Sequence, residues 1–364
     1  MDITATTTPA TVAVPRGVVP ASLVLGGTLI SLIGLTWDIQ WHSDVGPDTF
    51  FTLPHLFLYA GSAISGLASL VVVLMTTADA KRGRPVDPIV GGRAVGVFGR
   101  TFAAPVGYLI SGIGAALFLV YGLWDQWWHG LYGFDAVIAS PPHIGLLLSI
   151  SITMVGTVMI FSVASDQTWG TYGVVGSAAV LLAFSTVTVL GLQAMPRSIV
   201  NSVNVGTAFL MVMILFMAAH ALNRRGGAIV VAVAVAALQA VFWWFSPWAT
   251  EVYADATGLP LRDYTDGVPA LPNMIPMSLI IVAVAVELLH KLPAWLPGAV
   301  GGVIVTACAP LQRILTYGGS FPSADRYVAT IVAGAAFGAA AGMLGRRFGH
   351  MLRHLAPAKE GRHA

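Results

Sequence analysis

Ten stretches of about twenty mostly apolar residues recur along the chain, at 20–40, 53–76, 104–124, 142–164, 171–192, 202–222, 227–247, 273–290, 296–315 and 327–346. About that many residues, rising 1.5 Å each as a helix, cross the roughly 30 Å hydrocarbon core of a bilayer. Unpaired backbone amides are costly in hydrocarbon, so such segments must close their own hydrogen bonds. The predicted fold class is therefore all-α: a polytopic integral membrane bundle of about ten transmembrane helices. Composition agrees, because only 9% of the 364 residues are charged and mean hydropathy is +0.80. A soluble domain carries roughly 25% charged residues. The 40 glycines and 21 prolines fit this reading, since membrane helices tolerate proline and use glycine for close packing.

Charge gives the direction of threading. With the N-terminus cytoplasmic, the inner connections hold Arg16, Lys81, Arg82, Arg84, Arg93, Arg100, Arg224, Arg225, Lys291, Arg346, Arg347, Arg353, Lys359 and Arg362. The outer ones hold only Arg197, Arg262, Arg313 and Arg326. A miscounted helix would scramble this bias, so the positive-inside rule predicts ten spans with both termini cytoplasmic. The outer side is acidic, with Asp38, Asp44, Asp48, Asp125, Asp135, Glu251, Asp255, Asp263, Asp266 and Asp325. From Asp255 to Asp266 this reads as a solvated face. The polar, Thr-rich start lacks the pattern of a cleaved signal peptide, so the first apolar run is expected to stay as an anchor in a cell (plasma) membrane. The divisions are a disordered cytoplasmic tail (1–18), a four-helix region (19–165), six further spans (166–347) and a basic cytoplasmic tail (348–364) against anionic lipid.

The net charge of +2 gives no footprint for nucleic acid, and one cysteine excludes a disulfide framework, an iron–sulfur cluster or a thiolate zinc site. Histidine and aspartate carry more information. The first outer connection reads Trp37-Asp38-Ile39-Gln40-Trp41-His42, then Asp48-Thr49-Phe50-Phe51-Thr52-Leu53-Pro54-His55. The second reads Trp124-Asp125-Gln126-Trp127-Trp128-His129, then Pro141-Pro142-His143. Each is Asp-x3-His followed by a Pro-His, which marks an internal repeat. Residues four apart share a helix face, so one cation can take Asp38 with His42, or Asp125 with His129. The chain then turns and re-enters, bringing His55 or His143 at the start of the next helix. Proline there suits a first helical turn, Thr52 and Ser140 are expected N-caps, and the positive helix end favours the neutral imidazole a metal needs. Carboxylates at a membrane boundary are costly unless partnered. Two histidines and a carboxylate suit iron, zinc, copper or manganese, and raw affinity favours copper. Bis-histidine haem would leave the aspartates unexplained.

The first hairpin resembles the metal-binding segment of the C subunit of copper membrane monooxygenases, the particulate methane and ammonia enzymes. That segment has an Asp, a Trp-His four residues on, then an Asp-x-x-Phe-Thr-Pro stretch closing with His. Asp38, Trp41-His42, Asp48-Thr49-Phe50-Phe51-Thr52 and Pro54-His55 fall into that pattern. The second hairpin resembles the same subunit's second site, with Asp125 replacing Asn beside His129 and His143. The resemblance covers roughly residues 20–165; the six later spans have no assigned counterpart and the family's soluble copper domain is absent. It implies copper at both hairpins, at the extracytoplasmic face. It further implies O2 activation, hydroxylation of a small apolar substrate arriving through the bilayer, and partner subunits or a homo-oligomer. Phe50, Phe51, Trp41 and Trp128 would form an apolar wall. The alternative is a non-catalytic metal sensor, store or delivery protein, or a transporter, with iron or zinc as alternative metals.

Other features read as structural. Trp127 and Trp243 suit an aromatic belt, and Met211, Met213 and Met217 suit packing. His220, and the cluster Glu287, His290 and Lys291, suit an interfacial role, and His350, His354 and His363 belong to the basic tail. Leu271-Pro272-Asn273, Pro196-Arg197 and Pro322-Ser323 are weak echoes of the hairpin design.

Overall fold

The computed structural model of the chain describes residues 16–133, 138–195, 199–265 and 267–355. Each apolar stretch forms a helix: α1 (Val18–Asp44), α2 (Leu53–Lys81), α3 (Val106–Tyr132), α4 (Pro141–Ser162), α5 (Thr168–Thr188), α6 (Ser202–Leu222), α7 (Gly227–Thr257), α8 (Ala270–Met274), α9 (Leu279–Leu288), α10 (Trp295–Tyr317) and α11 (Ala324–His354). A 3-10 turn, Val189–Ala194, continues α5. Among the described residues, ten helical stretches are long and apolar enough to cross a membrane, with α8 and α9 together forming one of them. Pro196, Arg197, Asp135, Asp266, Lys359, Arg362 and His363, which entered the sequence reading, lie outside the described residues.

The bundle is built around α5, whose most apolar eighteen residues are 78% buried, against 28% on α10. Helices α1, α4, α6 and α7 pack around it. Small residues set the closest approaches. A Cβ on Gly61 of α2 would lie 2.4 Å from the Gly27 carbonyl oxygen of α1, and one on Gly302 of α10 would lie 2.0 Å from that of Gly334 on α11. Neither space accepts even a methyl group, so the glycines fix how near these backbones come. On the outer surface, Leu67, Leu70, Val71, Leu74 and Met75 of α2 are exposed, as are Leu119, Val120 and Leu123 of α3. Apolar bands of this kind need a covering other than water.

The structure departs from the sequence reading in three places. Between α2 and α3 lies an antiparallel hairpin, β1 (Ala94–Val97) with β2 (Phe102–Pro105), paired from Ala94↔Pro105 to Val97↔Phe102. Thr77 holds it to the end of α2: the Thr77 hydroxyl accepts from the Ala103 amide at 3.0 Å and donates to its carbonyl at 3.2 Å. Second, the span expected at 273–290 is broken between α8 and α9. Pro276 has no N–H to complete the helical ladder. Glutamines of neighbouring helices supply the missing donors: Gln239 donates to the carbonyls of Pro272 (2.8 Å) and Ile275 (3.0 Å), and Gln312 to those of Asn273 (2.7 Å) and Ile275 (3.0 Å). Third, α11 continues to His354, so residues 348–354 are helix rather than tail.

Candidate metal centre

Helix α1 ends with Asp38 and His42 one turn apart, and the chain reverses before α2 begins with Pro54 and His55. The reversal is pinned locally. Trp41 donates from Nε1 to the Pro47 carbonyl at 2.7 Å, and Gly46 has φ of 102°, a left-handed conformation that favours glycine. Asp48 in this turn points back into the hairpin. The result is a cluster of four: His42 Nε2 lies 3.0 Å from Asp48 Oδ2 and 3.9 Å from Asp38 Oδ1, and His55 Nε2 lies 3.0 Å from Asp38 Oδ1 and 3.3 Å from Asp48 Oδ2. The second hairpin repeats the placement with three groups. Asp125 and His129 sit at the end of α3 and His143 at the start of α4; both imidazole Nε2 atoms lie 3.3 Å from the Asp125 carboxylate. In each group, one ligand atom per residue can be chosen so that all lie within 4.8 Å of one another.

All six residues expected as ligands are thus brought together, three per hairpin. Asp48 is the one that ligand spacing missed. Its side chain is only 3% exposed. Burial alone would raise its carboxyl, but the hydrogen bond with His42, the charge of His55 and the Thr52 hydroxyl outweigh that and hold it below the usual carboxylate range. Asp48 therefore stabilises the hairpin fully above its unfolded value of about 3.9, and that contribution is lost as pH falls through the lower folded value.

Two observations test whether the residues fit a metal ion. His55 Nδ1 lies 2.9 Å from the Thr49 carbonyl, and His129 Nδ1 lies 2.9 Å from the Gly133 carbonyl. A carbonyl only accepts, so both Nδ1 atoms carry the proton, and a neutral ring then presents its Nε2 lone pair to the carboxylates. Lone pairs facing each other at 3.0–3.3 Å need a cation or an added proton between them. In addition, Asp38 Oδ1 and Asp125 Oδ1 are buried and accept no hydrogen bond from a described residue, which is costly for a carboxylate without a compensating charge. Both clusters therefore fit a metal ion, with the carbonyls acting as the outer partners that fix histidine tautomers at metal sites. With neutral imidazoles the first cluster offers two negative charges and the second one.

The clusters open on one cavity of about 500 Å³. Apolar side chains dominate its wall, among them Leu58, Tyr59, Phe118, Leu147 and Ile150. Tyr59 stands beside the first cluster, its ring 6.1 Å from that of His55 and 6.1 Å from that of Phe118. Of the four residues expected to form the wall, only Phe50 lines the cavity. Phe51 is exposed, Trp41 is buried against Tyr253, and Trp128 packs on Tyr132. The capping expectation also changes. Thr52 and Ser140 hold the N-cap positions, but neither hydroxyl caps its helix. Thr52 accepts from the Thr49 amide instead, at 2.8 Å, and the buried Ser140 hydroxyl has no partner among the described residues.

The later part of the chain braces the first cluster. Arg262 donates from Nη1 to the His42 carbonyl at 2.8 Å, the Arg262 amide donates to the Asp44 carbonyl at 2.7 Å, and the Ala270 amide donates to Gln40 Oε1 at 2.8 Å. Arg262→Gln removes the side-chain part of this brace and is expected to weaken the first cluster's metal affinity while leaving the second unchanged, as read by competitive chelator titration. The echoes of the hairpin downstream gather no ligands: among the described residues, the groups of three or more metal-ligating side chains are these two.

Among the described residues, fold and site define a helical bundle of ten long apolar helical stretches with two Asp/His clusters able to hold metal. No protein-family model, curated protein or solved structure matches this chain.

Proposed function

We propose that this protein is a multi-pass membrane protein, with both termini cytoplasmic and its two metal clusters at the extracytoplasmic face of the plasma membrane. We further propose that the clusters hold copper and that the chain is the metal-bearing component of a membrane monooxygenase acting on a small apolar substrate. The observation that carries this reading is the pairing of two Asp/His clusters on one apolar cavity. The resemblance of both hairpins to the C subunit of copper membrane monooxygenases points to copper among the metals this ligand set suits.

Copper, when bound, would supply one-electron redox and O2 chemistry. The chain supplies the rest. Asp38, His42, Asp48 and His55 would hold one ion, and Asp125, His129 and His143 the other. The carbonyls of Thr49 and Gly133 keep the imidazole protons on Nδ1. Leu58, Tyr59, Phe118 and Ile150 offer an apolar substrate a surface that water does not compete for. Three ligands leave a coordination position free, whereas four can complete a tetrahedral set. The second cluster is thus the better candidate for reaction. The four-ligand set of the first favours retention, the one observation on the side of a storage or delivery protein.

Substrate-dependent O2 uptake by membranes carrying the chain and its partner subunits tests the enzyme reading. Uptake is expected to be abolished in His129→Ala. Full metal loading with no uptake for any small hydrocarbon or ammonia would favour storage, and metal accumulation inside vesicles would favour transport. Imidazole ligation also sets a pH signature. Apparent affinity should fall as pH falls, by up to about 100-fold per pH unit, because two imidazoles per site can take up protons that the metal displaces. Affinity that is flat from pH 6.5 to 5 on chelator titration would contradict histidine ligation.

A further inference from the structure

At the end of the bundle opposite the hairpins lies a second cavity, of about 430 Å³, between the ends of α6, α9, α10 and α11. Helix α7 fixes the separation: its Tyr253 packs on Trp41 beside the first hairpin, while its start at Gly227 adjoins this second cavity. At about 1.5 Å per residue, Gly227 and Tyr253 are some 40 Å apart.

The lining is basic. Arg224, Arg225, Lys291 and Arg346 all face the cavity, and its one carboxylate, Glu287, is already engaged. Glu287 Oε1 accepts from the Ala228 amide at 3.0 Å, capping the start of α7. Arg224 spends one donor on the Thr171 hydroxyl at 2.8 Å. No described carboxylate forms an ion pair with Arg225, Lys291 or Arg346. Four cations beside a single carboxylate leave the cavity net positive, and their mutual repulsion is relieved when an anion joins them.

Close helix packing, not chance, gathers them. A Cβ on Gly345 would lie 2.3 Å from the Met213 carbonyl oxygen, and one on Gly349 would lie 2.5 Å from His220 Cβ. These glycines let α11 lie directly on α6, which brings Arg346 and His350 beside His220, with the two imidazole rings 5.5 Å apart. A volume of this size suits a phosphate with a small polar substituent, and guanidinium forks match phosphate oxygens in pairs.

We propose that this cavity is a phosphate-binding site, taking the headgroup of an anionic phospholipid or a soluble phosphate of similar size through Arg225, Lys291 and Arg346. The experiment uses the full-length chain, purified in a neutral detergent and stripped of lipid. Thermal unfolding is followed while phosphatidylglycerol, phosphatidylcholine or inorganic phosphate is titrated in. A saturable rise in Tm is expected with phosphatidylglycerol, with apparent affinity reduced at least tenfold in R225Q/K291Q/R346Q. The charge-conserving R225K/K291R/R346K separates loss of charge from loss of fold, and should retain most of the response. A response to phosphatidylglycerol alone assigns the site to lipid; a matching response to inorganic phosphate, lost in the same variant, assigns it to a soluble phosphate. An equal response in the glutamine variant, an equal response to zwitterionic phosphatidylcholine, or no response to any probe would overturn the proposal.

Discussion

Purified protein carrying Asp38→Ala is expected to lose one of two bound metal ions, and His129→Ala the other, with the double variant binding none. Asp38 Oδ1 lies 3.0 Å from His55 Nε2, and is buried without a hydrogen bond from a described residue. Removing it leaves two imidazoles and Asp48, with one negative charge in place of two. Loss of an outer partner already costs roughly 10–100-fold in metal affinity, so loss of a ligand should exceed about 100-fold. Metal content after exhaustive dialysis gives the stoichiometry, and spin resonance gives the ligand environment if the ion is cupric copper. Two ions retained in both variants would remove the basis for the whole site assignment. Asp38→Asn sharpens the test, because it keeps the shape and deletes only the charge. Its failure to hold metal would show that charge neutralisation, rather than geometry, is what the carboxylate provides.

The second large effect is expected in packing. Gly61→Leu places its first side-chain carbon 2.4 Å from the Gly27 carbonyl oxygen and 2.5 Å from the Ser31 amide nitrogen, both backbone atoms of α1. Neither can yield without moving the helix. Overpacking of this sort costs about 1–3 kcal/mol, at times more, and it should separate α1 from α2. Because Asp38 and His42 sit on α1 while His55 sits on α2, the variant should lose the first metal ion as well as unfolding at lower temperature. Gly26→Ala on α1 is the control, since nothing lies within 4 Å of a Cβ there. Equal unfolding temperatures for the two variants would mean that the α1–α2 contact is not under the constraint inferred.

The helices and six of the seven clustered ligands were legible in the sequence for the same reason: both follow short-range rules. Twenty apolar residues make a spanning helix whatever their neighbours do, and Asp-x3-His shares a face through helical geometry alone. Asp48 escaped because it lies in a turn, where no fixed period tells which way a side chain points. The break in the eighth span escaped for a related reason. Pro276 is visible in the sequence, but the donors that make the break tolerable, Gln239 and Gln312, lie on other helices. Arg262 likewise braces a carbonyl 220 positions earlier, a pairing without any local signature. The cavity wall was misassigned because aromatic residues near ligands were taken to face them, whereas Trp41 and Trp128 turn into neighbouring packing.

The bracing of the first hairpin has a consequence for the order in which the protein is built. The second cluster closes on itself between Asp125 and His143, and its ligands are all present once α4 has been synthesised. The first hairpin takes its supports from Arg262 and Ala270, which emerge from the ribosome more than 200 residues after Gln40 and His42. Contacts of such long sequence separation form late, because the intervening chain must be ordered first. The second site should therefore be competent for metal on a nascent chain while the first still awaits its brace, so the two ions are expected to be acquired in the reverse of their order along the sequence.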